Sequence, residues 1–424
     1  MSSNSTRTDE PQTADTPHEF TAGLTLVFAL AVGTIVLGLF ASQPLVGLIG
    51  ASFSLDASQA GLVTTLTLLG YATGLFLLVP LTDLVENRKV IIATLAVDVV
   101  ALTAIACAPT LMVFLAASFA TGMATSAIQM LVPVAARLSS TARRGRVVGN
   151  VMSGLMLGIL LSRPAASLVA EFVGWRWFYG ALAIVVAALT IALACVVPSH
   201  RPRTTVSYGR LIGSLWFILR REPVLRRRAA YQALCMGAFG VFWTCVALRL
   251  ALPPFGLDQT GIALFALSGA AGAVVAPIAG RAGDRGWTRG ATLLAHGAVI
   301  CAMALAEIGG ALISDRAPLV SLAVLAAAAV VLDLGVVGDQ TLGRRAINLL
   351  HPEARGRING LFTGLFFLGA SVGSGLSGIA WVIAGWPGVC AIGALFGLAA
   401  LIASVSEKSG AEFGMTIAVA AERE

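Results

Sequence analysis

Four ionisable side chains sit inside long apolar stretches of this 424-residue chain and are the first candidates for chemistry: Asp98, Arg163, Asp333 and Asp339. A charge in hydrocarbon is costly and persists where it is paired, hydrated or used, so each reads as a candidate for handling a proton or a polar solute. Asp333 and Gln340 are seven residues apart, which puts them on one face of a helix. Arg163 could set the charge of a nearby acid, because burial disfavours an ionised carboxylate and a cation favours it. Structural roles stand beside these readings. Asp339 is close to Arg344 and Arg345 and could only orient a helix end, Asp98 could pair with a neighbouring helix, and Arg163 could neutralise a carboxylate without moving a proton.

Other chemistry is thinly supplied. His296 is the only histidine deep in an apolar stretch, with His18, His200 and His351 outside, and no His or Cys partner stands at ligand spacing, so no metal site is expected. Cys107, Cys195, Cys235, Cys245, Cys301 and Cys390 read as small packing residues. No Gly-Lys-Ser/Thr phosphate loop occurs, so neither ATP drive nor any other cofactor is expected. An enzyme, or a receptor that transports nothing, would need a catalytic or ligand cluster that the sequence does not display.

The elements that must position these residues are membrane spans. Hydrophobic residues make up 57% of the chain and charged ones 12%, with a mean hydropathy of +0.88; a soluble domain carries roughly twice that charge. Hydropathy predicts twelve spans, at 22–43, 61–81, 89–108, 111–137, 148–171, 176–197, 229–250, 261–282, 291–312, 318–341, 358–382 and 387–404. The net charge of +7 is gathered in alternate loops, around Arg143 to Arg146, His200 to Arg228 and Arg344 to Arg357, while in the opposite loops Arg176 and Arg316 stand alone. This asymmetry orients a membrane protein with both termini in the cytoplasm and gives no reason to expect nucleic acid.

Internal similarity divides the spans into two sets. Asp83 corresponds to Asp284 at an offset of 201, and Arg144-Gly145-Arg146, Gly158, Gly174 and Trp175 correspond to Arg355-Gly356-Arg357, Gly369, Gly385 and Trp386 at an offset of 211. Six spans repeated in the same orientation imply two parallel bundles with a pathway between them. The expected organisation is a disordered cytoplasmic tail (1–20), a six-helix bundle (21–198), a basic cytoplasmic linker (199–228), a second bundle (229–405) and a cytoplasmic tail (406–424). Within the linker, Leu211, Ile212, Leu215, Trp216, Ile218 and Leu219 beside Arg210 and Arg220 suit a helix lying on the membrane surface; a partly disordered connector is the alternative.

The two corresponding loops read Val79-Pro-Leu-Thr-Asp83-Leu-Val-Glu86-Asn87-Arg88-Lys89 and Gly280-Arg-Ala-Gly-Asp284-Arg285-Gly-Trp-Thr-Arg289. They resemble the cytoplasmic signature of the major facilitator superfamily, Gly-x-x-x-Asp-Arg-x-Gly-Arg-Arg, although the first copy has Val79 for the leading glycine and Leu84 for the arginine. Asp83, Arg88, Asp284, Arg285 and Arg289 are thereby candidates for a latch, in which acids at helix ends pair with basic residues and neighbouring helix termini. Ser42-Gln43-Pro44-Leu45, Gly61 to Tyr71, Gln129-Met-Leu-Val-Pro133 and Phe242-Trp243-Thr244 resemble a bacterial subgroup akin to the drug-proton antiporter branch. Two features depart from that branch. Ser118-Phe-Ala-Thr-Gly122 lacks its span-four arginine, and span five keeps Gly154 and Gly158 but continues Ser162-Arg163-Pro164. Those glycines could serve a moving interface between bundles or plain helix packing.

The resemblance implies an all-α membrane protein with the major facilitator fold, in which spans one, four, seven and ten line the cavity. Gln43, Gln129, Trp243, Asp333 and Gln340 would then face the pathway, with Asp98, Arg163 and Asp339 as further candidates; Gln43-Pro44 could break span one or end it. The expected function is proton-coupled export of a small amphipathic molecule by alternating access. The alternative is a uniporter or proton symporter importing a sugar, organic acid or other nutrient. The expected setting is the bacterial inner membrane, and the expected partners are lipid, a small-molecule substrate and protons, with the chain as a monomer.

Overall fold

The computed structural model describes residues 21–201, 207–312, 317–351 and 354–406. The expected tail over 1–20, the tail from 407, linker residues 202–206 and Arg316 lie outside the described residues. In hydrocarbon each backbone amide must be satisfied within its own segment, so every apolar stretch becomes helix. Eleven helical segments among the described residues are long and apolar enough to cross a membrane. The last, Arg355–Val405, is interrupted at Gly385 and makes two crossings, which brings the total to the twelve that hydropathy predicts.

The helices overrun the apolar stretches, because hydropathy marks where lipid lies whereas a helix ends where its terminal amides find other partners. Span one runs on to Ser52 through breaks at Val36 and Ala41. Pro44 lies one turn past Phe40, whose carbonyl its ring would strike in an unbroken helix. Span five is Arg144–Val173, span seven Pro223–Ala251 and span ten Pro318–Asn348. Thr110 caps span four through the Val113 amide at 3.4 Å, and Asp258 caps span eight through the Gly261 amide at 2.7 Å.

The sequence repeat reappears as repeated geometry. Gly174 (φ 93°, ψ 154°) separates spans five and six, and Gly385 (φ 61°, ψ −147°) separates spans eleven and twelve. Both occupy backbone regions closed to side chains, and each leads into a buried tryptophan, Trp175 or Trp386. Span five meets span one where Gly158 abuts the backbone of Gly33, and span eleven meets span seven where Gly369 abuts that of Ala233. The paired glycines of span five therefore serve packing inside the first bundle, not the contact between bundles.

The two bundles meet along spans two and eleven, along span seven and the outer piece of span one, Ser42–Ser52, and along span five and the first half of span eight. Near the face opposite the basic loops, the buried hydroxyls of Thr64, Thr244 and Ser374 form a line across this interface, with Thr64 to Thr244 at 3.4 Å and Thr244 to Ser374 at 2.9 Å. On the basic face, the helix Tyr208–Arg221 touches both bundles. Its Tyr208 hydroxyl donates to the Leu77 carbonyl at 2.8 Å, and its Ser214 hydroxyl accepts from Arg357 at 3.1 Å. Leu211 and Leu215 face inward while Trp216 and Phe217 are exposed, the pattern of a helix lying at a membrane surface.

Candidate functional site

Arg163, deep in span five, is 4% exposed. Its Nε donates to Gln43 Oε1 of span one at 2.7 Å. Its guanidinium lies over the Trp243 ring of span seven, 4.1 Å from the centroid, with the rings of Phe40 and Phe239 at 5.2 and 5.3 Å. The Trp243 indole N–H donates in turn to Asp333 Oδ1 of span ten at 3.1 Å. Asp333 is 5% exposed. The buried base and the buried acid thus meet through an indole, the cation on its electron-rich face and the carboxylate on its positive edge. Among the described residues no direct ion pair joins Arg163 to Asp333.

Local sequence helps to place this set. Gln43 and Arg163 each precede a proline within a helix, Pro44 and Pro164, where the missing amide loosens the helical ladder. Phe239 lies one turn before Trp243, so both rings fall on the same side of span seven. Gln43 and Arg163 belong to the first bundle and Trp243 and Asp333 to the second, so the set straddles the interface. A small cavity beside it, with room for about one water, is lined by Pro44, Arg163, Trp243, Val246, Ile262 and Phe265. Nothing larger fits while the bundles are packed in this way.

Twelve helices in two matched sets, closed around a buried polar set at mid-span, agree with what comparison reveals: the family model of the Major Facilitator Superfamily matches residues 28–314. The chain belongs to the major facilitator superfamily. A relative from Escherichia coli O157:H7, named as an uncharacterized transporter, YgaY, is 35% identical over 91% of this chain and 95% of its own length. A protein of Streptomyces coelicolor, SCO4007, named as a probable transporter, is 30% identical over 86% of this chain and 83% of its own. The crystal structure of a D323A mutant of the nucleoside transporter NupG superposes with a TM-score of 0.73 at 14% identity, covering 90% of this chain and 99% of NupG. That likeness is one of fold.

The acids and bases of the two signature loops make contacts with other spans. Asp284 Oδ1 accepts from Arg345 Nε at 3.1 Å, at the end of span ten. Arg285 lies 5.5 Å from the Trp287 ring, and Arg289 is in the first turn of span nine, Thr288–Glu307. The cations that act on Asp83 are Arg357 of span eleven and Arg137 of span four. Arg88 instead donates to the Ala194 carbonyl of span six. Asp284 thus pairs with an arginine of another span, and Asp83 feels the charge of Arg357 in the second bundle.

The remaining candidates lie apart from the Arg163 set. Gln129 donates to the Tyr71 hydroxyl at 3.5 Å, and Tyr71 packs edge-on against Phe367 of span eleven at 4.6 Å. Gln340 is half-buried, two turns along span ten from Asp333. Asp98 is 1% exposed inside the first bundle, facing Thr121 of span four. Asp339 is also 1% exposed, but it points into the second bundle toward His296 and not toward Arg344 and Arg345. Sequence reasoning missed Phe40 and Phe239, since an aromatic ring in an apolar run gives no polar signal. It also missed Arg249, on the far face, which donates to the Gly310 carbonyl at 2.6 Å and that of Pro253 at 2.7 Å.

Proposed function

We propose that this transporter exports a small amphipathic molecule in exchange for protons, by alternating access, across the bacterial inner membrane with both termini in the cytoplasm. The observation that carries the proposal is the line Gln43–Arg163–Trp243–Asp333, which links the two bundles through one indole ring. When the bundles part, Arg163 leaves with the first and Asp333 stays beside Trp243 in the second. A buried carboxylate without a counter-charge is costly, so the separation is relieved by a proton taken up at Asp333. A substrate with an apolar body and a polar or cationic group can then enter the ground Arg163 has vacated, against the faces of Phe40, Phe239 and Trp243, and Asp333 gives up its proton as the substrate binds. Proton and substrate thus occupy the site in alternate states, which makes the transport an exchange. The basic loops supply the orientation.

A second reading is a uniporter or proton symporter importing a nutrient. The hydroxyls of Thr64, Thr244 and Ser374 along the interface favour it, as does the nucleoside transporter among its structural neighbours.

The test uses purified protein in liposomes with an internal pH dye, an imposed proton gradient and a panel of lipophilic cations, organic acids, sugars and nucleosides. Export predicts proton movement opposite to one lipophilic class, lost in Asp333→Asn protein that still inserts and folds. Wild-type coupled flux in that variant refutes the assignment of the proton to Asp333. Tracer uptake of a sugar or nucleoside without opposed proton movement selects the second reading.

A further inference from the structure

Away from the interface, three spans of the second bundle bring Cys235, His296 and Asp339 together, with none of the three more than 1% exposed. One ligand atom from each lies within 4.8 Å of the other two. His296 Nε2 is 3.3 Å from Asp339 Oδ1. Neither Asp339 oxygen nor His296 Nε2 has a hydrogen-bond partner, although all are buried. Buried polar atoms are seldom left so.

Ser404 Oγ lies 2.9 Å from the Leu401 carbonyl and 3.0 Å from His296 Nδ1. With the serine hydrogen on Leu401, Nδ1 carries the ring proton and Nε2 turns a lone pair toward the carboxylate, an arrangement that a cation between the two would satisfy. A shared proton would draw them to about 2.7–2.9 Å. Zinc–nitrogen and zinc–oxygen bonds of roughly 2.0–2.2 Å at the tetrahedral angle would hold them about 3.4 Å apart, close to the 3.3 Å found.

We propose that this pocket binds one divalent transition-metal ion, with zinc the best match, through Cys235 Sγ, His296 Nε2 and the Asp339 carboxylate, while Ser404 fixes the imidazole. Thiolate, imidazole and carboxylate together suit zinc. The charges also balance: a thiolate and a carboxylate cancel a dication, so the complex is neutral in a low-dielectric interior. The outer contact from Nδ1 to Ser404 is the support that metal-bound histidines ordinarily have. The ion would clamp spans seven, nine and ten into one body, so that the second bundle moves as a unit. This inference is independent of the transported substrate.

The experiment is metal analysis of the full chain, purified through a tag without histidines from cells grown with added zinc. About one zinc per chain is expected, with occupancy falling at least tenfold in Cys235→Ser, His296→Gln and Asp339→Asn and unchanged in His200→Gln. Because a variant that fails to fold would also lose metal, cobalt is titrated into metal-stripped wild-type protein. Tetrahedral ligand-field bands with a thiolate charge-transfer band support the site. No metal and no cobalt spectrum in the wild type overturns it and leaves His296 and Asp339 sharing a proton. Metal retained in all three variants overturns it as well.

Discussion

Replacing Thr244 by valine should tilt the carrier toward the state open at the face opposite its basic loops. Thr244, Thr64 and Ser374 are buried where span seven of the second bundle meets spans two and eleven, and Thr64 lies across the boundary in the first bundle. Valine keeps the shape of threonine and removes its hydroxyl, so the packed area is preserved while as many as two hydrogen bonds vanish. The hydroxyls left behind are not orphaned, since Thr64 and Ser374 both reach the Gly61 carbonyl, at 3.5 and 3.3 Å. Of the two, only the Thr64–Thr244 bond crosses between bundles; a neutral hydrogen bond contributes about 1 kcal/mol net, so the closed state loses about 1 kcal/mol, roughly a 5-fold shift in the closed-to-open ratio. Spin labels at Asp56 and Leu252, both exposed on that face, would read the shift as a grown long-distance population in a double electron–electron resonance experiment. No substrate is needed. Thr64→Val should act in the same direction, and the double variant should fall short of the sum because the two share one bond. An unchanged distance distribution, or a shift toward closure, would refute the idea that these hydroxyls hold that face shut.

Trp243→Phe keeps a ring beneath Arg163 but removes the N–H that holds Asp333; a hydrogen bond to a charged group is worth about 1.5–3 kcal/mol, so coupled flux in liposomes should fall roughly tenfold or more, and Trp243→Leu should fall further. Gly158→Ala drives a methyl into the Gly33 backbone and should lower thermal stability in detergent by about 1–3 kcal/mol, whereas Gly149→Ala on the same helix meets open space and should be silent. Asp284→Asn breaks a pair whose side chains are 36% and 73% exposed, so the melting temperature should hardly move, in keeping with an exposed pair worth less than about 1 kcal/mol. A large drop would place Asp284 in a network tighter than its contacts describe.

What could be read before any coordinates was whatever leaves a local trace. Hydropathy located every crossing because lipid demands apolar surface over a fixed length, and the Gly-Trp pairs at 174–175 and 385–386 marked where two crossings part. Arg163 and Asp333 could be chosen as candidates because charge in an apolar run is conspicuous. Their relation could not. It passes through Trp243, and the side chains involved lie 80 and 90 positions apart along the chain. The meeting of Cys235, His296 and Asp339 was hidden for the same reason, since ligand spacing is a test for one helix or loop whereas these three come from separate spans. The breaks at Val36 and Ala41 carry no polar signal either, apart from the proline that follows.

The helix Tyr208–Arg221 has a mechanical consequence. It is tied to one bundle through Tyr208 and to the other through Ser214, so it behaves as a short leash across the basic face. A rocking carrier with such a leash on one side has unequal strokes. The gap on the leashed side is limited by the slack in that connection, while on the other side it is limited only by how far the packed helices can tilt. Solutes would then meet a narrower doorway at the basic face than at the opposite one, and cutting the leash should widen the first without touching the second.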